Sequence, residues 1–236
     1  LHPPAPCRGI VGELAVDHRV LTYDLRGTGG SSRTGPYDVQ TDAADLAGVV
    51  EAAGGDALAI GLGDGAPRAV RAADRPDLIH TVVISGELPL GPMRGPEGQE
   101  ALANSPAVLD AMLELLEADY RTGLRSILTS GGDSEWQRLA LRDRLDAIEA
   151  HCPSEVAVPR MRAWINDDSL EEGRSLGDRL WYLHYPGNAW FRATLDGIRQ
   201  HLPDARFEAV SEGVISRPEE NAAAIRSILA SRRAAA

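Results

Sequence analysis

The sequence predicts an α/β fold, a doubly wound, mostly parallel sheet carrying a helical cap insertion. Two observations carry that expectation. Short apolar runs alternate with segments of helical periodicity across residues 19–84, and again from residue 180 onward, the pattern that parallel βαβ units leave in a sequence. The stretch between them, about 96–178, holds helical patterns and no strand. The core is accordingly expected at 1–90 and 178–236, with the cap at about 91–177. A chain of 236 residues, 43% of them hydrophobic, has the apolar side chains that one such domain needs.

Taken in order, Arg19-Val20-Leu21-Thr22-Tyr23-Asp24 reads as a buried strand that empties into the turn-rich Arg26-Gly27-Thr28-Gly29-Gly30-Ser31-Ser32. Ala43, Leu46, Val49 and Val50 recur at helical spacing, and Gly54-Gly55 stop the pattern. A strand over Ala57-Leu58-Ala59-Ile60 then runs through a tight turn, Gly61-Leu62-Gly63-Asp64-Gly65, into a helix over 66–73. Thr81-Val82-Val83-Ile84 is the next strand, with Ser85-Gly86 read as the turn that ends it. The expected cap contains helices over 107–120, 136–150 and 156–165. The sheet resumes at Leu180-Trp181-Tyr182-Leu183-His184 and at Arg206-Phe207-Glu208-Ala209-Val210, and a helix over 219–229 presents Ala222, Ile225, Ile228 and Leu229 on one face.

Composition excludes several functions. A net charge of -11 opposes a protein that grips nucleic acid through phosphates, since no basic patch outweighs the acidic field. All 24 basic residues are arginine, which points to codon bias and to no mechanism. Cys7 and Cys152 form neither a disulfide framework nor a CxxC site, so no structural zinc is expected and a reducing, cytoplasmic setting is. No run approaches 18 apolar residues, and no charged segment followed by an apolar one opens the chain, which starts on Leu1-His2 part-way through a motif. Neither a membrane partner nor export is expected.

The order of these elements and the residues in their loops resemble the α/β-hydrolase superfamily along nearly the whole chain. Asp24 to Ser32 is similar to that family's strand-to-loop segment, and Gly61-Leu62-Gly63-Asp64-Gly65 stands where the family carries its nucleophile elbow, G-x-S-x-G. Gly63 then occupies the serine's place, and glycine has no side chain with which to attack a carbonyl. A shifted register would make Asp64 the nucleophile but would put Leu62 where a small residue is needed; otherwise Asp64 reads as a carboxylate favoured at a helix N-terminus. Leu183 to Asn188 matches the stretch holding the family's acid, with Asn188 at that position, and an amide carries no charge to steady an imidazolium. Asp167 and Asp168 are a second candidate for the acid, set aside because 159–165 reads as helix. Glu212 to Glu219 matches the loop of the family's histidine, with Val214 in its place. None of His2, His18, His80, His151, His184 and His201 falls there, and each reads as structural or exposed. His2-Pro3-Pro4 resembles the family's His-Gly loop, whose following residue lends an oxyanion-hole N–H, and Pro4 has none.

The resemblance thus implies a hydrolase scaffold with every triad position replaced, no catalytic residue at Gly63, Asn188 or Val214, and neither cofactor nor metal. The expected ligand site is the cleft between core and cap, lined by Pro4, Leu62, Gly63, Asp64, Asn188, Trp190, Phe191 and Val214. Trp190 and Phe191 either stack on a flat ligand or pack the cap onto the core. A narrower resemblance, to the bottromycin-type peptide aspartate epimerases of actinobacterial natural-product pathways, rests on the replaced triad, the arginine-only basic residues, Trp190-Phe191 and the 213–218 segment. It implies a modified peptide or other small natural product as partner, and inversion of an aspartate α-carbon beside a thiazoline with the ligand as its own base. The alternatives are a ligand-binding receptor, carrier or immunity protein, and a hydrolase that uses Asp64 or Ser85.

Overall fold

The structure is a computed structural model that describes residues 7–85, 106–128, 141–186, 195–196 and 198–235. Its sheet is parallel, with β1 (Ala57–Leu62), β2 (Ile79–Ser85), β3 (Leu180–His184) and β4 (Arg206–Ala209) side by side in that order. Parallel strands need crossovers that cover both faces, and the strand side chains sort accordingly. On one face Ala59, Ile79, Val82, Ile84, Leu180 and Tyr182 pack against α2 (Val39–Ala52), α3 (Ala66–Ala72) and the helical stretch at 198–201. Toward the other point Leu58, Ile60, Val83, Leu183 and Val210, against Ile10 and Leu14 of α1 (Arg8–Leu14) and Ala222, Ile225 and Ile228 of the last helix, α9 (Pro218–Ala235). The sheet is therefore doubly wound, as its sequence pattern predicts.

Helix α2 starts where it does because Asp38 takes an extended backbone and its side chain accepts from the Thr41 N–H at 2.7 Å, a cap of about 1 kcal/mol. Between β2 and β3 the described residues are helical: α4 (Pro106–Ala118), α5 (Tyr120–Leu128), α6 (Leu141–His151), α7 (Ser154–Ile165) and α8 (Leu170–Leu176). Leu116, Leu124, Leu145 and Ile148 of the first three form a hydrophobic cluster of their own, whereas Leu170 and Leu176 of α8 join the main core. No described helix is long and apolar enough to cross a membrane.

One sequence expectation fails. Residues 19–25 carry no strand, although Val20 packs on the core and the Arg19 guanidinium donates to the Ala53 carbonyl at 3.0 Å. A strand needs a ladder, and among the described residues β1 pairs with β2 alone: residues 19–24 make no backbone hydrogen bond to its open edge. The apolar run was legible in the sequence; the absence of a partner was not.

Candidate functional site

Ligand sites of open parallel sheets lie at the carboxyl ends of the strands, and here three chain segments meet there. The first is the turn after β1. Leu62 is extended, Gly63 adopts φ +51°, a short 3-10 turn covers Gly63–Gly65, and α3 follows with Pro67 in its first turn. The chain doubles back so tightly that a Cβ on Gly61 would lie 2.7 Å from the Ala66 Cα and 2.9 Å from the Gly65 carbonyl oxygen. Only glycine fits there. A Cβ on Gly63 would meet no described residue within 4 Å, so the turn holds its central residue, in the left-handed region, clear of the described part of the chain. A side chain at this position would be displayed to the cleft, and the sequence supplies none.

Asp64, the next residue, is about one-third exposed and accepts from the Arg68 guanidinium at 3.3 Å across one turn. Arg68 in turn lies 3.9 Å from Asp42, and Asp42 receives Nε and Nη2 of Arg160 at 2.8 and 3.0 Å. Both members of that last pair are buried, and Arg160 also donates to the Arg26 carbonyl at 2.8 Å and stacks over the Tyr37 ring. A line of alternating charge thus runs from the turn through α3 and α2 to α7. Cys7, half-buried beside it, has its thiol pushed up by burial and further by the Asp64 charge. Tyr23 is pushed up to about 12, chiefly by burial.

The second and third segments are the end of β3 and the loop after β4. Tyr185, directly after β3, is hydrogen-bonded through its phenol oxygen to the Ser85 hydroxyl at the end of β2. Ser85 is the buried last residue of that strand, not part of a turn. Val214 is buried in the 211–217 loop, which the first turn of α9 holds: Asn221 donates to the carbonyls of Glu212 and Arg217 at 3.0 and 2.8 Å, and Glu220 receives both the N–H and the hydroxyl of Ser211. Neighbouring Gly213 passes so close to Tyr185 that a Cβ there would be 3.1 Å from the phenol oxygen.

Of the sequence-derived site residues, Leu62, Gly63, Asp64 and Val214 thus lie at strand ends, on the turn after β1 and the loop after β4. Pro4, Asn188, Trp190 and Phe191 lie outside the described residues. The aspartates set aside as an alternative acid are occupied elsewhere: Arg71 of α3 donates to the Asp167 carboxylate at 2.8 Å, to the Asp168 carbonyl at 2.9 Å and to Glu172. Among the histidines, His184 is buried at the end of β3, and burial, then Arg199, pushes its pKa down. Among the described residues no cluster of three or more His, Cys, Asp or Glu is placed to hold a metal. A groove of about 420 Å³ between the Pro36–Asp38 loop and α7, lined in part by Tyr37, Val158, Pro159 and Arg162, draws none of its lining from the strand ends.

Sequence reasoning missed Asp42, Arg68, Arg160 and Tyr185. A signal existed for two of them. Asp42 is in phase with Val39, Leu46 and Val50, and Arg160 with Val156 and Ala157, so each is a charge on an apolar stripe, which requires a buried partner.

A model of the Alpha/beta hydrolase family matches residues 7–224. Among solved structures the chain is similar to a bromoperoxidase from Bacillus anthracis, with 17% identity and a TM-score of 0.79 over 97% of this chain and 88% of that one. It is similar also to an esterase from Exiguobacterium antarcticum, at 14% identity and 0.75 over 96% and 87% of the two chains. For an enol-lactonase from Burkholderia xenovorans the values are 19% and 0.66 over 97% and 86%. Likeness at these identities establishes the fold alone. No curated protein matches the sequence.

Proposed function

The chain belongs to the Alpha/beta hydrolase family, and from that premise we propose that it is a non-hydrolytic member, an isomerase that inverts an aspartate α-carbon next to a thiazoline in a modified peptide. The observation that carries this reading is the turn after β1, which keeps the backbone of a nucleophile elbow and presents Gly63 at its tip. A covalent acyl intermediate cannot form on a residue without a side chain. Val214 in the loop after β4 has no proton to move, and Asn188 in the sequence has no charge to lend. A site without nucleophile or base at these positions still fixes conformation and excludes water.

The ligand then supplies the base. Its own carboxylate takes the α-proton, the C–H electron pair forms a C=C bond to the thiazoline carbon as the C=N π pair moves onto nitrogen, and a solvent proton added at the opposite face restores the C=N bond and inverts the centre while the carboxylic acid gives its proton back to water. Protein groups are needed to hold the carboxylate over the C–H and to offer hydrogen bonds where charge develops. Incubation in D₂O with a thiazoline-bearing aspartyl peptide tests this. Deuterium should enter the α-position, read by mass spectrometry, well above the rate without protein. Absence of exchange with intact binding would replace the isomerase by a ligand-binding protein.

A second reading has its own support. The similar structures include an esterase and an enol-lactonase, and Asp64 places a carboxylate beside the turn. Hydrolysis of p-nitrophenyl esters by the wild type, lost in Asp64→Asn, would favour a hydrolase with an unusual nucleophile.

A further inference from the structure

We propose that the hydrogen-bonded hydroxyls of Ser85 and Tyr185 are the polar anchor of the ligand, Tyr185 donating to a carbonyl or carboxylate oxygen and Ser85 positioning the phenol. The inference rests on the functional reading above and deepens it by naming the group the ligand must present.

Strand register puts the pair where the reaction would occur. Ser85 is paired with Leu62 on one side and Leu183 on the other, so it stands one strand away from the turn at which Gly63 opens space. Tyr185 follows β3 two residues after Leu183, and its phenol oxygen is bonded to Ser85. The same oxygen lies against the 213–214 backbone: any side chain at Gly213 would crowd it at 3.1 Å. The ends of β2 and β3 and the loop after β4 thus converge on one phenol oxygen. Ser85 is buried while Tyr185, packed on the core by its ring, keeps partial exposure, which divides the roles: the serine fixes the phenol and the tyrosine is the member of the pair that solvent reaches.

The chemistry selects the ligand group. Burial pushes the Tyr185 pKa up, so the phenol is a neutral donor throughout the working pH range. With Leu62 and Val214 nearby and the Asp64 carboxylate on the same turn, a neutral donor suits a single carbonyl or carboxylate oxygen and opposes a phosphate dianion. In the isomerase it would serve an oxygen that gains charge as the α-proton leaves.

The test uses the full chain and an aspartyl-thiazoline peptide labelled with ¹³C in its carboxylate and amide carbonyl, with calorimetric titration, the ¹³C shift of the bound peptide and D₂O exchange read separately. Tyr185→Phe should weaken binding about tenfold and abolish the downfield ¹³C shift, with the fold retained by circular dichroism and a melting temperature lowered by a few degrees at most. Ser85→Ala should weaken it severalfold and Ser85→Thr restore it, while Gly213→Ala should displace the phenol and reduce the shift. Wild-type exchange that Tyr185→Phe leaves intact, with the shift retained, overturns the anchor and spares the isomerase. Binding that depends on Tyr185 without exchange overturns the isomerase and supports the anchor. No binding to wild type overturns both.

Discussion

Asp42→Ala removes the anion that lies between two arginines. The Asp42 side chain is 1% exposed and that of Arg160 4%, joined by bonds of 2.8 and 3.0 Å, with Arg68 at 3.9 Å on the other side. Breaking a buried pair by deleting one partner costs about 3–5 kcal/mol, because the surviving charge is left in a low-dielectric setting. Asp42→Ala leaves the buried Arg160 without its carboxylate, while Arg68 keeps Asp64 at 3.3 Å, and belongs near the middle of that range. Arg160→Met leaves Asp42 with Arg68 as partner, at 3.9 Å, and belongs near the bottom. The double variant Asp42→Ala/Arg160→Met removes both charges of the pair, so it should cost no more than about 3 kcal/mol against a sum of about 7 for the singles, giving a coupling of at least about 3 kcal/mol. Urea unfolding followed by far-UV circular dichroism measures all four corners of the cycle. The melting temperature should fall by at least about 6 °C in each single variant, at 2–4 °C per kcal/mol for a chain of this size. Single variants that each cost under about 1 kcal/mol and sum in the double would refute the reasoning.

Further expectations concern the turn, the base and pH. Gly61→Ala should destabilise by about 2–3 kcal/mol through the 2.7 Å clash with Ala66, while Gly63→Ala, which meets nothing, should cost about 1 kcal/mol from its positive φ alone; urea midpoints compare them. Gly63→Ser by itself should leave p-nitrophenyl acetate hydrolysis within about tenfold of background, since no base accompanies it; a rapid acylation burst would contradict that. His80, His151 and His184 all have pKa values pushed below the ordinary histidine value, with burial the largest cause. The unfolded chain therefore takes up protons first, so stability should be full above about pH 6.5 and decline as pH falls through the lower folded values; His184→Gln should flatten part of that decline in melting temperature against pH. Asp17, held at about 2 by hydrogen bonds from Arg226 and then His18, contributes stability present above about pH 4 and lost toward pH 2. Arg226→Leu should flatten the acid limb of the same curve.

The sequence discloses what depends on local pattern. β1 to β4 all follow from short apolar runs between turns, and the tight turn after β1 follows from glycines at 61, 63 and 65. What escapes is what depends on a distant partner. The 19–24 run has the composition of a strand, but pairing is decided by what lies beside it. Arg160 and Asp42 are 118 positions apart, so each shows in the sequence as a charge on an apolar stripe but not which partner satisfies it. The short helices α1 and α8, of seven residues each, hold too few turns for a periodicity to emerge. Tyr185 escapes for a different reason: a tyrosine just after a strand carries no local pattern that separates a packed ring from a hydroxyl bonded to Ser85, 100 positions away.

The separate cluster formed by Leu116, Leu124, Leu145 and Ile148 carries a consequence for how such a protein diversifies. Because those side chains fill one another's space and not the sheet's, substitutions among them alter the packing of α4, α5 and α6 without repacking the strands. A lineage is then free to vary those helices while inheriting the sheet unchanged, and the buried bonds between Arg160 and Asp42 tie α7, which packs on that cluster, to α2 of the sheet's own layer.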